Sequence, residues 1–461
     1  MKSKETLNSS STLNWARVDL RKVPQIKTTP PGLQSREIHL RTSKYMRGFS
    51  SQVRLFPVAF ESGNGCTLHD VDGNTYIDFS SGIYVTNLGH CHPKVSEAVA
   101  KWANKLMNCH DFSTPIKMAL MEKLAEVLPE NLTGFQLYDS GTTALEAALR
   151  VARAATGKHE FISCFMDFHG KTSNAVSLGQ IRNRCYGPTR SPGFHMVPRP
   201  DPYRPIWKTN RGEIDTDAYM AFYAQYLDQG TAGQVAAFVL EPIQGWAGSI
   251  FPPDDFFCKL RRLCDERRIL LIADEILTGM GRTGKWCAME HWNTRTDITV
   301  LGKGLGNGFP VTAVCVDEGI ADVVSSISAS TSYGGNPMAC AAALAVIEVI
   351  EQEDLLEHAI RLGEFCLTRM EDLQERHPIV GDVRCRGVLM GIELVKDRAT
   401  KEPFEEAGRF VYKSAFRKGL AWIPAGHILR MSPPMVMDFD LAAKGLEIIE
   451  DAITEAERQL L

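Results

Sequence analysis

The chain has 461 residues, 44% of them hydrophobic and 23% charged, with a formal net charge of −4. That length is ample for a large core of two or three structural units, and the charge balance argues against a dedicated nucleic-acid or membrane-surface binder. The twelve cysteines are scattered without a CxxC pair, and Cys164, Cys315 and Cys340 lie inside apolar runs, which reads as reduced core thiols of a cytoplasmic protein.

Residues 1–47 are rich in Ser, Thr, Lys and Pro and show little periodicity, so a mobile or surface-draped arm is expected. Glu5, Asp19 and the lack of an amphipathic pattern argue against a transit peptide. Residues 48–85 are expected to form the N-terminal part of a small domain. Within them Cys66 to Phe79 reads as a hairpin turning at Asp72-Gly73-Asn74. Amphipathic helices are predicted over Pro93 to Met107 and Ile116 to Leu128.

From Gly134 strands and helices alternate, which implies an α/β unit with a mostly parallel sheet, bounded here as 86–337. Its strands are predicted at Phe135 to Tyr138, Phe161 to Phe165, Val235 to Leu240, Ile269 to Ala273, Ile298 to Leu301 and Val311 to Val316. A helix is expected over Thr143 to Thr156. The alanine-rich run Met338 to Ile347 is too short to span a bilayer and reads as a packed helix, continuing to Ile350. Residues 338–461, with helices Leu355 to Glu375, Glu405 to Lys418 and Leu441 to Gln459 and a strand Gly387 to Leu394, would complete the smaller domain.

Chemistry concentrates at three strand ends. Lys303 lies between Gly302 and Gly304, just past the apolar run Ile298 to Leu301. An amine held among apolar groups shifts toward the neutral, nucleophilic form that makes a Schiff base. Upstream, ILLIADEI reads as a buried parallel strand with Asp274 at its carboxyl end. A lysine and an acid facing one pocket fit pyridoxal 5'-phosphate: the lysine holds the aldehyde carbon and the acid keeps the pyridine nitrogen protonated. Third, Asp139-Ser140-Gly141-Thr142-Thr143 opens a helix with small hydroxyl residues, as a phosphate site needs and as a plain N-cap also would.

Two other patterns are set aside. Gly279-Met280-Gly281-Arg282-Thr283-Gly284 matches GxGxxG, but no apolar helix follows and no acid stands at the ribose position. Gly89-His90-Cys91-His92-Pro93 lacks a second ligand pair at zinc spacing, so no metal is expected.

From about Phe56 to Glu450 the sequence resembles the class III, or omega, aminotransferases of the fold type I pyridoxal-phosphate enzymes. The motifs carrying the resemblance, in order, are Ser140-Gly141-Thr142, Phe168-His169-Gly170, Glu241-Pro242-Ile243-Gln244-Gly245, Asp274-Glu275-Ile276, Gly281-Arg282-Thr283-Gly284, Lys303-Gly304, Gly334-Gly335-Asn336-Pro337 and Arg430-Met431-Ser432-Pro433-Pro434. The resemblance implies a large domain with a mostly parallel mixed sheet flanked by helices, plus a smaller α+β domain. It implies a cofactor set of Ser140, Gly141, Thr142, Phe168, His169, Glu241, Gln244, Asp274, Lys303 and Ser332. In that set Gly141 and Thr142 bind the phosphate and Phe168 stacks on the ring. Gln244 lies near the ring hydroxyl, Asp274 pairs with the ring nitrogen, and Lys303 forms the internal aldimine. Ser332 would reach the phosphate of a neighbouring subunit's cofactor, which implies a homodimer with shared sites. Arg430 would bind a substrate carboxylate.

Such an enzyme moves an amino group between an amino-acid donor and an aldehyde or ketone acceptor by ping-pong kinetics, with Lys303 as proton carrier. Relatives that alternate between a terminal amine and glutamate place an acid directly after the EPIQG-like motif, where this chain has Trp246. Trp246 and Tyr84 are read as pocket aromatics, against plain packing. They suggest a substrate with a ring, such as an amino-sugar precursor or an aryl alkyl amine. A racemase or epimerase, or a decarboxylase, of the same fold is the alternative, and a non-catalytic binding protein is disfavoured by the joint presence of Lys303, Asp274 and the phosphate loop.

Overall fold

The computed structural model of the protein describes residues 15–179, 190–421 and 423–461. Seven short strands make its central sheet: β1 (Leu132–Tyr138), β2 (Glu160–Cys164), β3 (Phe194–Val197), β4 (Val235–Leu240), β5 (Leu270–Glu275), β6 (Ile298–Leu301) and β7 (Thr312–Asp317). Their spatial order is β1-β7-β6-β5-β4-β2-β3. β7 runs antiparallel to both of its neighbours, β1 and β6. Every other pairing is parallel.

Every residue of β4 and β6 is buried, because helices cover both faces of the sheet. Side chains alternate across β4: Ala237 and Val239 join helix Gly141–Thr156 on one face, while Phe238 and Leu240 join helices Thr216–Gln229 and Phe256–Arg267 on the other. This is the α/β architecture with a mixed, mostly parallel sheet that the alternating pattern implied.

A second core gathers both ends of the chain. Strands Phe60–Asn64, Thr67–Asp70, Thr75–Asp78 and Leu420–Ala421 form one four-stranded sheet. The expected hairpin is present, with Thr67 opposite Ile77. Another four-stranded sheet comprises Val380–Arg386, Leu389–Leu394, Ile428–Met431 and Ile423–Ala425, in that spatial order. Helices Leu355–Arg376, Glu405–Arg417 and Phe439–Leu460 pack on these strands, and Phe56, Tyr76, Val411, Leu429 and Ile449 share the core. Residues 1–14 of the expected arm lie outside the described residues. From Trp15 the segment lies on this core, with Ala16 and Val23 buried and Gln25 bridged to Thr75.

Some elements differ from the expectation. The helix starting at Pro93 stops at Ala103, four residues short, and Lys105 and Leu106 fold back onto the carbonyl of Trp102. Helices Leu33–Thr42, Thr216–Gln229 and Phe256–Arg267 and strands Phe60–Asn64, Phe194–Val197 and Val380–Arg386 add to the predicted set. No described helix is long and apolar enough to cross a membrane. The described cysteines are all free.

Candidate active site

The parallel strands β1, β2, β4, β5 and β6 all end on the same side of the sheet, so the segments that follow them converge. Ser140 follows β1; Asp167, Phe168 and His169 follow β2; Glu241 and Gln244 follow β4. Asp274 is the last residue but one of β5, and Lys303 lies two residues past β6. This is where ligands bind in open α/β sheets.

Lys303 adopts a left-handed backbone with φ 40°, an uncommon conformation for a residue with a side chain. The residue is partly exposed, yet its amine is deep enough for desolvation to dominate. Burial lowers its proton affinity below the usual lysine range; Asp274 and Glu241 pull it back up, and Arg430 and Arg282 add to the lowering.

Asp274 is buried, with Oδ2 2.7 Å from His169 Nδ1 and Oδ1 accepting the Ile276 amide. His169 is in turn 3.7 Å from Asp167, an ion-pair distance beyond hydrogen-bond length. Glu241 accepts the amides of Phe168 at 2.8 Å and Gly245 at 3.1 Å, so one carboxylate ties two site loops together. Burial, with Asp167 and Asp274 nearby, raises the proton affinity of Glu241 well above the carboxylate range.

The start of helix Gly141–Thr156 is capped by Ser140, whose hydroxyl accepts the Thr143 amide, and its first turn carries no acid. The free amides and the dipole there suit an anion. Two glycines bring that turn close to its neighbours. A Cβ on Gly141 would lie 2.9 Å from Ile276 Cδ1, and one on Gly170 would lie 2.0 Å from Thr142 Oγ1. The Phe168-His169-Gly170 loop is thereby pressed against the helix start.

Phe168 faces Trp246, with ring centroids 5.4 Å apart and a 30° tilt. Arg430 stacks on the other partner of this pair, its Cζ 4.3 Å from the Trp246 ring centroid, and donates to the Gly245 carbonyl at 3.4 Å. Arg430 is fully buried, and burial lowers its proton affinity from the usual value while Tyr84 and Glu241 oppose that. Tyr84 is buried with its hydroxyl unpartnered, near Arg430, Arg282 and Ser249. It closes the segment Ser81-Gly82-Ile83-Tyr84, in which all four residues have positive φ.

The site therefore gathers Lys303, Asp274, His169, Glu241, Phe168, Trp246, Tyr84 and Arg430, with Ser140, Gly141 and Thr142 at its edge. Ser332 stands apart: it is exposed, and its carbonyl accepts from Asn108. Gln244 is engaged by protein, donating to the Phe165 carbonyl at 2.9 Å and to Asp167 at 2.8 Å and accepting from Arg199. Asp167, buried at the back of His169, is a residue the sequence did not single out. An acid two positions before a motif histidine was the one available signal.

The GxGxxG segment forms a turn in which Arg282 is fully buried, donating to the Pro433 carbonyl and to Asn87. His90 of the second set-aside pattern pairs with Asp78 at 2.8 Å. Among the described residues, no group of three or more His, Cys, Asp or Glu could hold a metal ion.

The residues fit pyridoxal phosphate on their own chemistry. A lysine of lowered proton affinity, a buried acid, a flanking aromatic ring and a helix start that suits an anion lie together at the strand ends. A model of the family Aminotransferase class-III matches residues 49–453. Among curated relatives, the chain is 35% identical to an alanine/serine racemase of Pyrococcus horikoshii, over 95% of this chain and 94% of that protein. It is 36% identical to an acetylornithine aminotransferase of Methanopyrus kandleri, over 86% of this chain and 95% of that protein. Among solved structures, an omega transaminase of Pseudomonas jessenii in complex with PMP superposes with a TM-score of 0.86 at 26% identity, covering 91% of this chain and 98% of that one. A family match of this extent, on a sheet whose strand ends carry that constellation, means that the chain belongs to the class III aminotransferases and is a pyridoxal-phosphate-dependent transaminase of fold type I.

Proposed function

We propose that the protein transfers an amino group between an amino-acid donor and an aldehyde or ketone acceptor, with Lys303 and Asp274 as its catalytic pair. The observation that carries this reading is the convergence of these two residues at the carboxyl ends of adjacent strands, β5 and β6, in one largely buried cluster. The cofactor supplies the electron sink for the carbanion character that develops when the substrate proton leaves. Lys303 would hold the cofactor aldehyde and, once displaced, carry the proton between the substrate carbon and the cofactor. Its lowered proton affinity favours the neutral form that both tasks need. Asp274 would hold the ring nitrogen protonated. Ser140, Gly141 and Thr142 would bind the phosphate, and Phe168 would flank the ring. His169, Glu241 and Gln244 would support this shell from behind.

Arg430 would take the donor carboxylate, and Trp246 and Tyr84 would line the acceptor side, which supports a ring-bearing acceptor such as an amino-sugar precursor. A homodimer is part of the proposal. Ser332, Tyr333, Met107 and Phe112 are exposed on loops joined by the Asn108–Ser332 bond, an apolar face for a second copy that brings Ser332 to the partner's site. A cytoplasmic location is proposed from the free thiols.

A second reading, amino-acid racemase or epimerase, is favoured by one specific observation. Arg430 stacks on the Trp246 ring at the position where the resemblance places a carboxylate-binding guanidinium, and interconversion of amino-acid enantiomers binds a carboxylate in both directions. The racemase relative accords with this. The two readings separate in the visible spectrum of the purified protein, recorded with amino acids or amines and no keto acid. Bleaching of the yellow protein marks a transaminase half-reaction, whereas a protein that stays yellow while the donor loses optical activity is an epimerase. A colourless protein that pyridoxal phosphate does not reconstitute overturns both.

A further inference from the structure

His169 is held between two buried carboxylates. Its Nδ1 is 2.7 Å from Asp274, and its Nε2, which has no hydrogen-bond partner, is 3.7 Å from Asp167. A neutral imidazole has one N–H, so it can serve one carboxylate only by turning a lone pair on the other. The imidazolium donates to Asp274 and turns a second N–H, rather than a lone pair, toward Asp167 at ion-pair distance. Asp167 cannot swing away from this arrangement. Its Oδ1 accepts from Gln244 at 2.8 Å and its Oδ2 accepts the Cys164 amide at 2.9 Å, while Gln244 is itself held by the Phe165 carbonyl and Arg199.

We propose that Asp167 is a positioning residue: from behind, it fixes His169 as an imidazolium, and His169 in turn keeps the Asp274 carboxylate charged and aimed into the site. The inference rests on the reading of Asp274 as the partner of the cofactor ring nitrogen. Burial by itself would hold His169 neutral, but Asp167 and then Asp274 outweigh it and lift its pKa to about 10. The other charged groups around this pair are Glu241, whose proton affinity is raised, and Lys303, which Asp274 and Glu241 both act on; Arg199 reaches Asp167's partner Gln244. Of the three acids here, Glu241 is the one whose proton affinity burial and its neighbours raise. The imidazolium compensates for the solvent that Asp274 has lost.

The test follows the His169 ring in the cofactor-free protein by nitrogen-15 NMR of labelled histidine, with the signal assigned from a His169→Gln variant. In the wild type both ring nitrogens stay protonated from about pH 6 to about pH 9. In Asp167→Asn the proton affinity of His169 falls by at least about 100-fold, bringing its titration into that window. With pyridoxal phosphate bound, the same variant lowers kcat for the donor half-reaction with KM unchanged, and adds a step to its pH profile at the new His169 pKa. A wild-type His169 that titrates near the ordinary histidine value overturns the proposal, even if the variant does not fold. So does an Asp167→Asn protein whose His169 titration is unmoved, since a purely structural Asp167 would lower only thermal stability. Because the titration uses no cofactor, a failure to bind pyridoxal phosphate counts against the reading of Asp274 and is seen separately.

Discussion

Asp274 is enclosed, with His169 bonded to one of its oxygens and Lys303 close enough for Asp274 to act on that amine's proton affinity. Asp274→Asn keeps an oxygen for the His169 contact and should fold. It removes the charge that holds the ring nitrogen protonated, so turnover is expected to fall at least about 100-fold. Thermal unfolding and the rate of bleaching by donor check this; normal turnover with retained cofactor would defeat the assignment. Trp246→Glu sets an acid beside Arg430, 4.3 Å from the ring it replaces. The new ion pair competes with the donor carboxylate, so KM for α-amino acids is expected to rise about tenfold or more while amines lacking a carboxylate improve as donors. Steady-state kinetics on both donor types read it, and an unchanged KM would show that Arg430 is not the carboxylate site. At this scale Lys303 and Asp274 were legible, because a lone polar residue at the end of an apolar strand is a local pattern. Asp167 was not, because nothing in the order Met166-Asp167-Phe168-His169 says that its carboxylate is clamped by Gln244 and turned on the imidazole.

Among the elements, Ser81 to Tyr84 is the most unusual, with positive φ at four successive positions, including the β-branched Ile83 at 72°. Such residues cost roughly 1–2 kcal/mol each in this conformation, and the strain is offset by the bonds of the turn: Asp78 accepts the amides of Ser80 and Ser81, and the Ser81 hydroxyl donates to the Ser432 carbonyl. The turn delivers Tyr84 to the site. Ile83 is itself half exposed, so Ile83→Asn, which tolerates the left-handed region, should stabilise the protein by about 0.5–1 kcal/mol without changing donor kinetics. Chemical denaturation checks this, and a loss of stability would show that Ile83 makes an apolar contact in the assembled enzyme. The helix Phe256–Arg267 was not predicted, although its buried Phe256, Phe257, Leu260, Leu263 and Cys264 fall on one helical stripe. Nor was the left-handed turn, because Ile and Tyr carry no propensity for it; tertiary bonds impose it.

At the scale of the whole molecule, a buried ion cluster joins the central sheet's loops to the second core. Glu393 accepts from Arg204 at 2.6 and 2.8 Å and from Arg384 at 3.2 Å, with His427 3.4 Å away. Burial raises its proton affinity, yet His427, Arg384 and Arg204 together hold the carboxyl down at about 2. A folded pKa below the unfolded value gives stability that is present above the unfolded carboxylate pKa, about 4.3, and is lost as pH falls toward 2. The wild type should lose on the order of 3 kcal/mol across that window from this group. Glu393→Gln, which leaves two arginines without their carboxylate, should cost about 3 kcal/mol at neutral pH and lack that part of the acid dependence. Urea unfolding of both proteins at a series of pH values decides it, and parallel pH curves would rule the cluster out.

The sequence by itself determined the α/β class, most of the central strands from Gly134 onward, the lysine and acid proposed as the catalytic pair, and the cofactor, because these rest on periodicity and on residue types at strand ends that neighbours in the chain define. Tertiary structure decided what those residues face. Tyr84 and Arg430 reach the site from parts of the chain far apart in sequence, Arg430 stacks on Trp246, Gln244 turns to Asp167, and Ser332 stays outside on the surface. Such contacts depend on how two separately formed cores meet, and no local propensity carries that information.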